Sequence, residues 1–219
     1  VLVALLAGRR RMTKLLVNLR FKIGSVTRES QRHTPLALGI HLLLALPGTV
    51  LLAALGFALS ATDESQMVGI ATACKESALI WLVFYFAYLL VAPNGIAETH
   101  FRWSPNRCRF LRRRIRELGL VVLVLRFTAT LVASQPPIIA EDIAGLVVVA
   151  LCYGLLALLL PGLIWKKEHK ASALRLISAI LLTAVPLALA GAVFAGYYYT
   201  ALKLTARLTD TLSLLVIWW

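Results

Sequence analysis

Long apolar runs alternate with short polar stretches along the whole chain. The complete runs cover residues 35–61, 67–92, 118–134, 143–165 and 173–203, and each is broken by a cluster of charged or turn-forming residues. A bilayer-spanning helix needs about 20 apolar residues at ~1.5 Å rise each, so the pattern predicts five complete spans. Residues 1–8 and the stretch running to residue 219 carry apolar runs too short to cross, and read as two partial spans. The expected fold is an all-α polytopic membrane protein. The span at 118–134 contains Arg126, but its ten strongly apolar residues, at roughly −0.5 kcal/mol each, outweigh the ~+3 kcal/mol of one central arginine.

The connectors divide by charge. Residues 9–34 form a basic connector, residues 93–117 a second, and the stretch after Trp165 a third; together they hold nineteen of the 23 Lys and Arg. The connectors at 62–66 and 135–142 carry acidic residues and no Lys or Arg. Positive charge near span ends resists translocation and marks the cytoplasmic side. The chain therefore divides into a span end at 1–8, a basic inner connector at 9–34, and spans two to four at 35–134 around the inner loop 93–117. Spans five and six follow at 135–204, then an outer turn and partial span seven at 205–219. In the first connector Met12, Leu15, Leu16, Leu19 and Ile23 share helical spacing, while Lys14, Arg20 and Lys22 stand off that face. That suits either a helix in the headgroup layer or a packed continuation of the first helix.

Within the runs, Pro47-Gly48, Pro161-Gly162 and Pro186 predict kinks, which neighbouring helices commonly satisfy in a membrane. Ala184, Ala188, Ala192 and Gly196 recur at four-residue spacing, a stripe that lets another helix approach closely. Trp81, Phe84, Tyr85 and Tyr88 follow helical spacing and read as packing or lipid contact. Arg126 lies eight residues from either end of its run, where a charge is expensive and seeks a partner. Counting ~1.5 Å per residue along the antiparallel preceding helix puts Glu76 at similar depth. The expectation is an intramembrane pair of Arg126 with Glu76, the alternative being bonds from Arg126 to backbone carbonyls or a lipid phosphate, with Lys75 pointing elsewhere because adjacent residues do not share a face.

Composition changes the picture mainly by exclusion. A chain of 219 residues that is 60% hydrophobic, with mean hydropathy +0.82, has no room for a compact catalytic domain. The formal charge of +13 would suggest nucleic acid in a soluble protein. Here the basic residues sit in alternate connectors, so topology accounts for them and no nucleic-acid partner is expected. Cys74, Cys108 and Cys152 form no disulfide framework or zinc spacing. His33, His41, His100 and His169 are scattered, and no nucleophile, P-loop or metalloprotease motif occurs. No catalytic, cofactor or metal residues are expected. The basic trios Arg9, Arg10, Arg11 and Arg112, Arg113, Arg114 are candidates for holding anionic lipid headgroups, each worth roughly 1 kcal/mol, or for setting orientation alone.

Three strings, TRESQRHTP at 27–35, NGIAETHFRW at 94–103 and GYYYTALKLTARLTDTLSLLVIWW at 196–219, resemble the large MscS-type mechanosensitive channels, especially the potassium-linked MscK kind. The resemblance implies a fragment of a longer protein: peripheral helical hairpins forming a paddle around the pore of a homo-heptamer in the bacterial inner membrane. It implies channel opening under tension, with protection against hypoosmotic shock. Ions would pass through a pore that, like the soluble cytoplasmic domain, lies outside this chain. The residues themselves leave two other readings open: part of a secondary transporter with proline-interrupted helices and a polar site around Arg126, or a membrane scaffold.

Overall fold

A computed structural model describes residues 33–62, 65–93, 95–99, 101–134, 143–164 and 173–218. Regular structure among them is entirely α-helical: α1 (His33–Ser60), α2 (Ser65–Leu90), α3 (Ile96–Thr99), α4 (Pro105–Ser134), α5 (Ile143–Leu159), α6 (Pro161–Ile164), α7 (Ala173–Phe194) and α8 (Tyr198–Trp218). Four stretches are long and apolar enough to cross a membrane: Pro35–Ser60, Met67–Leu90, Pro105–Ser134 and Leu176–Phe194. The apolar part of α5, Gly145–Leu159, is shorter. The partial span at 1–8 and the basic connector 9–34 lie almost wholly outside the described residues.

The helices are packed in a series. α1 lies on α2, α2 on α4, α4 on α5 and α5 on α7, while α8 closes back against α2, α4 and α7. The main core forms where these meet. Ile80 and Phe84 of α2, Val122 and Leu125 of α4, Val149 of α5 and Val193 of α7 are buried in one cluster. Helix α1 stays outside it and turns Leu51, Leu55 and Phe57 outward at 56%, 50% and 66% exposure. Its contact with α2 relies on small residues. A Cβ at Gly48 would collide with the Trp81 indole, and one at Gly56 would lie 2.8 Å from the Ala71 carbonyl oxygen. Removing side-chain bulk lets two helices approach where lipid offers no hydrophobic driving force.

Two boundaries differ from the sequence reading. The helical part of the 93–117 loop is long, because α4 begins at Pro105. Ser104 accepts a hydrogen bond from the Arg107 backbone N–H at 3.4 Å, and proline occupies the first helical position, where its missing N–H costs nothing. The second difference is at the other end of the chain. Residues 173–203 are not one helix followed by a turn at 205–210: the chain reverses at 195–197, and 198–218 is a single helix. Gly196, at φ 88°, donates to Val193 O at 3.2 Å, and Tyr197 N–H reaches Ala192 O at 2.9 Å. This is the glycine-ended stop in which a left-handed residue satisfies the last carbonyls. Polarity at 205–210 is misleading because the threonine hydroxyls bond within the helix, Thr205 to Ala201 O at 2.7 Å and Thr209 to Ala206 O at 2.9 Å.

The predicted kink positions fall in three settings. Pro47 lies inside α1 and Pro186 inside α7, while Pro161 opens α6 directly after α5 ends.

Candidate functional site

A guanidinium in the apolar interior has to be paired and hydrogen-bonded, since desolvation costs several kcal/mol per ion. Arg126, with a side chain only 14% exposed, meets this demand through three helices. Its Nε donates to Glu76 Oε2 of α2 at 3.0 Å. Its Nη1 donates to the Ala206 carbonyl of α8 at 3.1 Å and lies 3.4 Å from both Thr209 Oγ1 and Asp210 Oδ1. Thr130, one turn beyond Arg126 on the same face of α4, donates to Glu76 Oε2 at 2.6 Å. The planar fork of arginine suits this task better than a lysine point charge, because its donors lead in fixed and different directions.

The result is a polar clasp uniting α2, α4 and α8. Beside it opens a cavity of about 160 Å³ lined in part by Glu76, Arg126, Thr130, Tyr199 and Lys203. Lys203 lies over the Tyr199 ring at 4.8 Å. One step further into the bundle, the buried Tyr153 of α5 brings its hydroxyl to Thr205 Oγ1 and to Ala201 O, the latter at 3.2 Å. Helix α8 is thus held by polar contacts from both α4 and α5. Lys75, next to Glu76, turns away toward α1, where its Nζ reaches Ser60 Oγ at 3.0 Å and sits 4.5 Å from the Phe57 ring centre.

At the basic end the three candidate arginines of α4 diverge. Arg112 is half-buried over the Tyr88 ring at 4.4 Å. Arg113 pairs with Glu117 at 2.8 Å with its own side chain 76% exposed. Arg114 approaches Glu117 at 3.5 Å and lies against the α5–α6 elbow, where a Cβ on Gly162 would come within 2.9 Å of its Nη2. Tyr88 continues into a stack on α2, with Tyr85 at 5.9 Å and Trp81 a further 5.5 Å on. A column of aromatic rings therefore links the Pro47-Gly48 region of α1 with Arg112 of α4. Arg9, Arg10 and Arg11 lie outside the described residues. In α7, Ala184 and Ala188 are exposed and Ala192 is half-buried, while Gly196 is the exposed helix stop. Among the described residues no group of three or more His, Cys, Asp or Glu could hold a metal ion.

Sequence reasoning reached Arg126 and Glu76 by depth but missed Asp210, Thr209 and the Ala206 carbonyl. Thr130 was within reach of inspection, being four residues beyond Arg126 on one helical face.

An all-helical bundle with several apolar helices and a deep, partnered arginine is the make-up of a multi-pass membrane protein. The family described as Mechanosensitive ion channel inner membrane domain 1, of the MscS type, matches residues 1–219, and the chain belongs to this family. It is similar to Mechanosensitive channel MscK of Escherichia coli, 28% identical over 202 residues, covering 90% of this chain and 18% of that protein. It is also similar to an uncharacterized MscS family protein of Haemophilus influenzae, 25% identical over 233 residues, covering 99% of this chain and 20% of that relative. The chain thus spans about a fifth of the length of these curated relatives. No solved structure matches it. The family is one of ion channels rather than enzymes.

Proposed function

We propose that this chain is the tension-responsive membrane module of an MscS-type channel that opens when the bilayer is stretched and relieves hypoosmotic shock. In this reading it forms a peripheral paddle of five complete crossings and two partial ones in the bacterial inner membrane. The paddle surrounds a homo-heptameric pore formed by residues beyond this chain. The observation that carries the proposal is the contrast between α1, with only 11% of its spanning stretch buried, and the cross-tied helices behind it. A helix with a large lipid-facing surface and a small-residue contact can tilt or shift as the bilayer thins. Any difference in lipid contact between two states then moves the equilibrium between them.

The clasp at Arg126 is proposed to keep α2, α4 and α8 in register, so that movement of the outer hairpin reaches α8 instead of being lost inside the paddle. Pro47, Pro161 and Pro186 are proposed as the bends that allow it. The stripe Ala184, Ala188 and Ala192 is proposed to receive another helix in the assembled channel, Gly196 being the stop that ends it. Arg9 to Arg11 and Arg113 are proposed to face the anionic cytoplasmic leaflet, Arg112 and Arg114 being turned onto Tyr88 and the α5–α6 elbow.

The cavity beside Arg126 supports a second reading, a solute site of a secondary transporter. Recording from the complete parent protein in stretched membrane patches separates the two. The channel reading expects pressure-activated currents that do not saturate with ion concentration. Saturable solute uptake without tension would overturn it.

A further inference from the structure

Helix α4 turns one narrow face outward along its length. Arg109, Arg113 and Arg116 are exposed on it, and the same face continues as Leu120 at 65% and Val124 at 38% exposure. Steps of four, three, four and four residues hold these five side chains on one side of a 3.6-residue helix. The opposite side, with Cys108, Leu111, Leu118 and Val122, is buried. The outward face is therefore apolar where α4 crosses the membrane and basic where it leaves. At ~1.5 Å per residue, Arg116 lies roughly 6 Å below Leu120 and Arg109 roughly 16 Å below it. That interval crosses a phospholipid headgroup layer about 5–8 Å deep, and long arginine side chains can snorkel along it.

From this geometry we infer that Arg109, Arg113 and Arg116 form a binding face for the phosphate of an anionic phospholipid in the cytoplasmic leaflet. The other arginines at this end of α4 are committed elsewhere. Arg112 lies over Tyr88, Arg107 over Trp103 at 4.6 Å, and Arg114 against the Gly162 elbow. Within the face, Arg116 has no hydrogen-bond or ion-pair partner among the described residues. Arg113 has only the exposed Glu117 pair, which a phosphate can replace at little cost, and Arg109 donates to Asn106 Oδ1 at 2.6 Å. Three guanidinium groups against the single carboxylate of Glu117 leave positive charge in excess. Guanidinium donors match phosphate oxygens in a two-pronged geometry. A zwitterionic headgroup brings its own ammonium into this field and is disfavoured; an anionic headgroup does not. The inference rests on the proposed orientation, with this end of α4 cytoplasmic, but not on tension gating.

The test is lipid retention by the complete parent protein purified in detergent, titrated with phosphatidylglycerol or phosphatidylcholine and read by native mass spectrometry. The wild-type protein is expected to prefer phosphatidylglycerol. At about a fivefold contribution for each basic residue, R109Q/R113Q/R116Q should lose the preference by about a hundredfold. The corresponding lysine variant should keep part of it, and R107Q, on another face, should keep all of it. The three side chains are exposed, so folding should survive; if the triple variant fails to assemble, R116Q and R116K alone should show the same order. Unchanged preference in R109Q/R113Q/R116Q, or in R116Q, overturns the inference. So does displacement of the lipid by inorganic phosphate, which would make this a site for free anions. A fall in subunit number with lipid retention intact would make the face a subunit contact instead. Because no tension is applied, loss of gating with normal retention would count against the proposed function and leave this face standing.

Discussion

The two interfaces of α2 solve the problem of helix association in opposite ways. Toward α1 it sets side chain against bare backbone, with Trp81 at Gly48 and the Ala71 turn at Gly56, plus one exposed polar contact from Lys75 to Ser60, and only 11% of the α1 spanning stretch is buried. Toward α4 and α8 it contributes Glu76 to a clasp in which Arg126 of α4 satisfies groups on both α2 and α8. Half of the α2 spanning stretch is buried. The first interface depends on shape, and a helix held by shape can slide or tilt through small displacements. The second depends on charges that an apolar medium leaves costly to part, and so resists separation. A single helix with one permissive and one resistant side is suited to pass on a displacement without absorbing it.

Substitutions should separate these two kinds of contact. The largest effect is expected at the clasp. Arg126→Ala leaves Glu76 and Asp210 without their cation and should destabilise the bundle by roughly 3–5 kcal/mol, seen as lost expression or early thermal unfolding of the solubilised parent protein. Exchange of Arg126 and Glu76 should recover only part of the loss, since a carboxylate at position 126 would then face Asp210. Full recovery would mean that α8 takes no share in the clasp.

Next comes the α1–α2 interface, where Gly48→Leu forces the added side chain into Trp81. A cost of about 1–3 kcal/mol is expected, with weaker cysteine cross-linking between α1 and α2 and no change between α4 and α8. Disturbance of both pairs would show that the interfaces are not separable. A smaller loss of about 1 kcal/mol is expected for Tyr153→Phe, which removes a buried hydrogen bond to α8 while preserving the ring. The smallest is Asp210→Asn. Asp210 stands at the long 3.4 Å edge of the clasp and an amide there still accepts from Arg126, so the change should cost ~0.5 kcal/mol and loosen α8 alone, measurable as faster hydrogen exchange in that helix.

Much of the architecture follows from the alternation of apolar runs and basic connectors, because lipid leaves few choices for such runs. Arg126 and Glu76 could be matched from sequence by counting residues along an antiparallel hairpin, and they lie 3.0 Å apart. The third member of the clasp could not. Asp210 belongs to a stretch rich in Thr, Arg and Asp that has the composition of a turn. Its helical state depends on tertiary partners, with Arg126 and Tyr153 reaching α8 from 80 and 48 residues away in sequence. The same limit applies to glycine. Gly196 fits a four-residue stripe by spacing, yet its positive φ makes it a helix stop, and spacing carries no information about backbone hand. The close contact at Gly48 was also hidden, because it requires knowing which α2 side chain lies opposite.

The fit between Trp81 and Gly48 makes the indole a natural optical gauge. Its ring nitrogen is buried against Gly48 and has no hydrogen-bond partner among the described residues. Separation of α1 from α2 would admit lipid headgroups or water to that nitrogen and move its fluorescence to longer wavelength. With the other four tryptophans replaced by phenylalanine, emission from this one ring would follow the gap between the helices as the surrounding bilayer is thinned.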